Sequence, residues 1–229
     1  FQERKVMMKK ISIAIDGPSA AGKSSIAKIV AKKLGYVYID TGAMYRCVGY
    51  YCLQNNIDLN NETAVSAILK NIKITMDSNN RVYLNEHDVS DQIRQDEVSM
   101  SASLVSSYQD VREFLVKQQR KMSNVGGVIL DGRDIGTVVL PDAKLKIYQN
   151  ASVETRAKRR FLENKKRGLS ADLETIKKDI EQRDYQDMNR KISPLKKADD
   201  AIVLDTSNLS IDEVVNEVLK LAKQREMEG

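Results

Sequence analysis

The chain is poor in the residues that cross-link or metal-staple a fold. Among 229 residues there are two cysteines, Cys47 and Cys52, and one histidine, His87. Two cysteines make no disulfide framework, and with a single histidine they make no zinc site. Free thiols in a reducing compartment, the cytoplasm, are expected. No stretch approaches the roughly 18 apolar residues of a membrane span, so no membrane partner is expected. The opening FQERKVMMKK lacks an apolar core and a small-residue cleavage site, which argues against a secretory leader. Residues 1–8 read as an upstream extension, with Met7 or Met8 as the natural start. Internal repeats and low-complexity linkers are missing too. So are an aromatic-interleaved basic stripe and a recognition-helix pattern, which argues against nucleic acid as a partner.

What is present is the mixture of a soluble globular protein: 41% hydrophobic and 30% charged residues. That is enough apolar side chain to exclude whole-chain disorder. The net charge of +5 is mild; it suits an anionic ligand, and a solvated basic surface gives the same number. The length fits one α/β domain with an insertion, or two small domains.

Apolar, β-branched runs predict strands at residues 10–15, 36–39, 128–130, 144–149 and 201–204. Helical patterns separate them. One runs to about Leu34 and stops at Gly35; a second spans about Gly42 to Gln54. A third is capped by Ser152 and stops at Gly168, a fourth spans Leu173 to Asn189, and a last one opens on the capping box Ser210–Glu213. Strands alternating with helices predict a five-stranded parallel sheet with helices on both faces. Residues 71–89 break the rhythm. Ile72, Ile74 and Met76 alternate, as do Val82 and Leu84, around Ser78-Asn79-Asn80. This predicts a small antiparallel meander inserted into the α/β chain.

Gly17-Pro18-Ser19-Ala20-Ala21-Gly22-Lys23-Ser24 matches G-x-x-x-x-G-K-[ST] between a predicted strand and helix, the context this motif requires. Its glycines let backbone N–H groups curl toward phosphate oxygens, and the helix start adds partial positive charge. Lys23 would reach the β- and γ-phosphates, and the Ser24 hydroxyl could ligate Mg²⁺. Val128-Ile129-Leu130-Asp131, an apolar strand ending in a carboxylate, supplies a second Mg²⁺ candidate, Asp131, acting through water.

A phosphate loop indicates a nucleotide, not a reaction. The arginines narrow the choice: Arg46, Arg112, Arg133, Arg156, Arg159, Arg160, Arg183 and Arg190. Arg46 and Arg133 follow strands at the edge where ligands bind in an open parallel sheet. They read as anion-binding residues, since arginine grips phosphate with a planar two-pronged contact. Arg183, Asp187 and Arg190 share one helix face. By itself the Arg183–Asp187 spacing reads as a surface ion pair. Tyr36, Tyr38, Tyr50 and Tyr51 read as packing residues. Tyr45 stands apart because it precedes Arg46. His87 and the run Lys165-Lys166-Arg167 read as solvated.

GPSAAGKS, DTGAMYR, DGRDIGTVV and RDxxDMNR, in this order and at these separations, closely resemble the bacterial cytidylate kinase family, over essentially residues 8–225. The resemblance implies a P-loop NTPase fold of adenylate-kinase type. It implies one kinase domain over 9–225: a core (about 9–60, 104–150 and 192–225), an insertion that binds the nucleoside monophosphate (about 61–103) and a helical lid (about 151–191). It further implies that Gly17 to Ser25 (Gly17, Pro18, Ser19, Ala20, Ala21, Gly22, Lys23, Ser24 and Ser25) bind ATP. Arg46, Arg133 and Arg190 would hold the acceptor phosphate, and Ser103, Arg112 and Asp134 would read cytosine, with Ser99, Ser101 and Ser106 close by. Arg183 and Asp187 would contact the sugar. Lys23, Arg133 and the lid residues Arg159 and Arg160 would act on the transferring phosphate. The expected reaction is transfer of the γ-phosphate of MgATP to CMP or dCMP by a monomer. The competing readings are a kinase for another nucleoside monophosphate, and a P-loop binding module that hydrolyses nucleotide slowly.

Overall fold

Strand residues alternate between two apolar layers, and that alternation sets the architecture. The computed structural model describes residues 9–228; the expected upstream extension, residues 1–8, lies outside them. In chain order the elements are β1 (Ser12–Asp16), α1 (Lys23–Leu34), β2 (Val37–Asp40), α2 (Thr41–Gln54), α3 (Glu62–Ile68), β3 (Ile74–Met76), β4 (Val82–Leu84), β5 (His87–Asp88), α4 (Asp96–Val105), α5 (Gln109–Ser123), β6 (Val128–Gly132), β7 (Leu145–Asn150), α6 (Val153–Lys166), α7 (Leu173–Asn189), β8 (Ile202–Asp205) and α8 (Ile211–Met227).

Five strands form a parallel sheet in the order β2-β6-β1-β7-β8. Ile13, Ile15, Ile129 and Ile147 point to one face, where α1 and α8 cover them through Ile26, Val30, Val214 and Val218. Ala14, Val128 and Leu130 point to the other, under α2, α4 and α5. The period of two along each strand therefore builds two cores, as a doubly covered parallel sheet requires. Helix α1 ends on Gly35, whose φ of 65° is a left-handed cap. Helix α8 begins on the expected Ser210–Glu213 capping box.

The meander is present as an antiparallel sheet in the order β3-β4-β5, turning through Asn80 at φ 60°. Its apolar residues Ile74, Val82 and Leu84 belong to the same cluster as α2, α4 and α5. The insertion thus shares a core with the sheet rather than building its own. Helices α6 and α7 form a further layer around Ala157, Ile176 and Ile180, with Ala20 of the phosphate loop packed against it.

The strand-and-helix pattern did not place α3, α4 and α5. Helix α3 has 7 residues and α4 is rich in serine, a residue whose hydroxyl competes for backbone partners. In α5 the buried Val111, Leu115 and Val116 sit among charged residues and glutamines, so its apolar face is narrow.

Candidate active site: a phosphate loop facing a cluster of arginines

The C-terminal ends of the parallel strands supply the site. At the end of β1 the chain turns through Gly17 (φ 154°) and Ala20 (φ 55°) to Gly22 (φ 83°), which precedes α1. Gly17 lies so close to β7 that a Cβ there would stand 1.9 Å from the Gln149 carbonyl oxygen. Gln149 is buried, and its side-chain Nε2 donates to the Ala21 carbonyl at 2.7 Å. No side chain caps α1, so its first N–H groups face the loop, where a phosphate can accept from them. Lys23 is buried with its Nζ donating to the Pro18 carbonyl at 2.8 Å. Burial and then Arg133 push its pKa down to about 7.

Ser24 and Asp131, the two metal candidates, are brought together: Ser24 Oγ donates to Asp131 Oδ2 at 2.9 Å. Tyr38 donates to the other oxygen at 2.7 Å. Tyr38 was expected only to pack; it does so, and it also orients this carboxylate. Burial, followed by the charge of Asp40, raises the Asp131 pKa. A hydroxyl and a buried carboxylate short of positive charge make a hard oxygen pair that suits Mg²⁺, which completes its shell with water and phosphate oxygens.

The acceptor side is built from side chains of distant segments. Asp40 caps α2 by accepting from the Ala43 N–H at 2.8 Å. It also binds Arg46 at 3.4 Å and Arg94 at 3.0 Å. Burial opposes its ionisation, but Arg46 and Arg94 outweigh it and leave the pKa below the ordinary value. Arg133 donates to Asp187 at 2.8 Å, and Arg190 stands 3.6 Å from the same carboxylate. Asp187 is buried, so the spacing argument for a surface ion pair with Arg183 fails: the carboxylate faces the cleft, and its direct ion partners are Arg133 and Arg190. Arg183 feels burial and then Arg133, and its pKa falls to about 10. Lys23 and Arg183 are thus both held down first by burial and then by the Arg133 charge, and a bound anion would relieve both.

Arg112 and Asp134 are both brought in as a buried pair. Arg112 Nη2 donates to Asp134 at 2.5 Å, Nη1 donates to the Ser106 carbonyl at 2.9 Å, and the guanidinium lies 5.1 Å over the Tyr45 ring. Among the described residues, three donors around this pair are buried without a protein partner, Tyr45 OH, Arg112 Nε and one Arg190 nitrogen, and so is Arg46 Nε beside Asp40. Buried donors ordinarily have partners, so this arrangement suits a ligand rich in acceptors. Of the serines, Ser101 and Ser106 donate to nearby carbonyls, Val98 at 2.8 Å and Ser103 at 2.8 Å. Ser103 is half-buried on α4.

The two α6 arginines part company. Arg160 stands 3.7 Å from Asp96 at the start of α4 and acts on Arg183. Arg159 is not brought to the cluster. It donates to the Thr206 hydroxyl at 3.1 Å and carbonyl at 2.6 Å, beyond β8. Residues one apart on a helix point about 100° away from each other, so only one of the pair can face this cleft.

Sequence reasoning missed Asp16, Asp40 and Arg94. Asp16 accepts from the Ile135 and Gly136 N–H groups at 2.8 and 2.7 Å, and so holds the loop that carries Arg133 and Asp134. Burial raises its pKa to about 6. Asp16 and Asp40 do carry a signal, an aspartate closing an apolar strand. Arg94 follows the meander in a short 3₁₀ turn (Gln92–Arg94) and has none.

Comparisons with known proteins identify the family. A family model described as "Cytidylate kinase" matches residues 13–224. A curated cytidylate kinase of Bacillus cereus (strain ATCC 10987 / NRS 248) is 53% identical over 218 residues, covering 94% of this chain and 97% of its own. One of Bacillus thuringiensis (strain Al Hakam) is 53% identical over 216 residues, covering 93% and 96%. Among solved structures, an uncharacterized protein from Eubacterium ventriosum ATCC 27560 has a TM-score of 0.53 at 14% identity, covering 93% of this chain and 98% of its own. That likeness concerns the fold alone.

Proposed function

The chain belongs to the cytidylate kinase family, and from that premise we propose that it transfers the γ-phosphate of MgATP to CMP or dCMP, giving ADP and CDP or dCDP. The observation that supports the reading is the buried Arg112–Asp134 pair in a site that also gathers Arg133 on Asp187 and the buried Lys23 of the phosphate loop. The pair fits cytosine. The carboxylate of Asp134 accepts from the N4 amino group, and Arg112 donates to O2 and N3, with Ser103 near the same edge. Uracil presents an acceptor at position 4, which faces the carboxylate and leaves groups unpaired.

Arg46, Arg133 and Arg190, with Arg94 beside Arg46, hold the acceptor phosphate. Arg183 and Asp187 take the sugar. Gly17 to Ser25 wrap the donor phosphates, with Lys23 at the β- and γ-phosphates. Ser24 and, through water, Asp131 are the residues that would hold Mg²⁺, which neutralises phosphate charge when bound. An oxygen of the acceptor phosphate attacks the γ-phosphorus in line. The new O–P bond forms as the bond to the β-phosphate oxygen breaks, and that electron pair leaves with ADP. A phosphomonoester has a second pKa of about 6, so the nucleophile is already ionised at neutral pH and needs no general base. Catalysis is positioning and charge stabilisation, with Lys23, Arg133 and Arg160 around the transferring group. The α6–α7 pair acts as the lid and residues 61–103 as the acceptor-binding insertion; their closure excludes water. The enzyme works as a monomer in the cytoplasm, and its two buried free thiols suit that reducing compartment.

The test is coupled ADP production from MgATP with CMP, dCMP, UMP, AMP and GMP side by side. Rapid turnover with CMP and dCMP alone supports the reading. A different leading acceptor would overturn the cytosine assignment and keep the phosphate chemistry. Acceptor-independent turnover would leave a slow NTPase.

A further inference from the structure

Arg156 and Asp184 are themselves assigned to neither substrate, yet they join the two halves of the site. Arg156 lies on the first turns of α6 and is 4% exposed. Its Nε donates to the Ala151 carbonyl at 2.9 Å, one Nη to the Ser19 carbonyl of the phosphate loop at 3.2 Å, and the other to Asp184 at 2.7 Å. Asp184 sits on α7 directly after Arg183 and three residues before Asp187. Among the described residues its second carboxylate oxygen has no hydrogen-bond partner, nor has the buried Ser19 hydroxyl. The contact is therefore polar and largely buried. Apolar packing runs parallel to it, because Ala20 of the loop rests against the Ala157, Ile176 and Ile180 cluster of α6 and α7.

We infer that Arg156 and Asp184 are positioning residues that couple occupancy of the phosphate loop to the placement of Arg183, Asp187 and Arg190, so that donor binding tightens acceptor binding. The inference rests on the kinase reading above. When donor phosphates fill the loop, the peptide carrying the Ser19 carbonyl is fixed. Arg156 transmits that constraint to Asp184, and α7 turns its arginines toward the acceptor. A two-pronged guanidinium can hold carbonyl and carboxylate in one plane, whereas an ammonium group cannot.

Titration calorimetry of CMP, with and without saturating Mg²⁺ and β,γ-imido-ATP, tests the coupling. Wild type is expected to gain about five- to tenfold in CMP affinity. Asp184→Asn and Arg156→Lys are expected to keep less than about twofold of that gain. Lys177→Gln, which removes an exposed α6–α7 bridge to Glu154 of 3.1 Å, is expected to keep all of it. An unaltered factor in Asp184→Asn, or a factor of one in wild type, would overturn the inference. Hydrogen exchange on wild type needs no variant: the imido-ATP complex alone should slow exchange in residues 184–190, and unchanged exchange there sinks the coupling. A wild type that neither binds CMP nor makes ADP from it would instead remove the kinase reading, and the inference with it. An active enzyme without coupling removes the inference alone.

Discussion

On the proposed reading, the donor and acceptor halves of the site bind the same chemical group, a phosphate, by different means. The donor half is a contiguous loop, Gly17 to Ser24, whose working parts are backbone N–H groups, a helix start and one lysine. The acceptor half draws Arg46, Arg94, Arg133 and Arg190 from four separate segments and orients them on Asp40 and Asp187. A backbone cradle depends on conformation and tolerates changes of side chain that leave the turn intact. A side-chain cluster depends on ion partners and fails one residue at a time. Damage to the loop should therefore be all-or-none, and damage to the cluster graded and specific.

The largest effect should come from Gly17→Ala. A methyl group 1.9 Å from the Gln149 carbonyl cannot be accommodated without moving β7 or the loop. Turnover should fall by about a thousandfold or more with every acceptor, measured as kcat/KM beside circular dichroism; acceptor-dependent losses would break the contrast.

Asp134→Asn tests the graded side. It should reduce the preference for CMP over UMP by about a hundredfold while the KM for ATP changes little, checked by parallel kinetics with both acceptors. A uniform loss with both bases would show that Asp134 serves only to hold Arg112.

The α6 arginines sharpen the boundary. Arg160→Ala should lower kcat by about a hundredfold and Arg159→Ala by less than about fivefold, because Arg159 is engaged with Thr206. The reverse order in steady-state kinetics would mean that α6 rotates when substrates bind.

The smallest effect is one of stability. The Asp16 pKa is raised from 3.8 to about 6 by burial, so the folded state binds more protons than the unfolded chain between those values. On account of this group, stability falls as pH rises through that window and levels off above it. Asp16→Asn should remove a slope of at most about 3 kcal/mol, read as the difference between wild-type and variant urea midpoints from pH 4 to 7. A difference that does not vary with pH would exclude the titration.

Much of this was legible in sequence where the cause is local. The five parallel strands, the loop, the two metal candidates and the capping box each follow from neighbouring residues. Helices α4 and α5 were not, because their signal is diluted by serine and by charge. Arg94 was not, because its partner Asp40 lies far along the chain, and the strand-end signal of Asp16 does not disclose its distant partners Ile135 and Gly136.

The sequence by itself determined the phosphate loop and the alternation that buries strands on both faces, since both depend on periodicity and on backbone freedom within a few residues. Tertiary structure alone decided which arginines share a carboxylate, that Asp187 is buried between Arg133 and Arg190, and that Arg160 rather than Arg159 faces the cleft. Electrostatic partnership acts through space, and only the packing of α2 on the sheet and of α6 and α7 on each other and on the phosphate loop sets those distances.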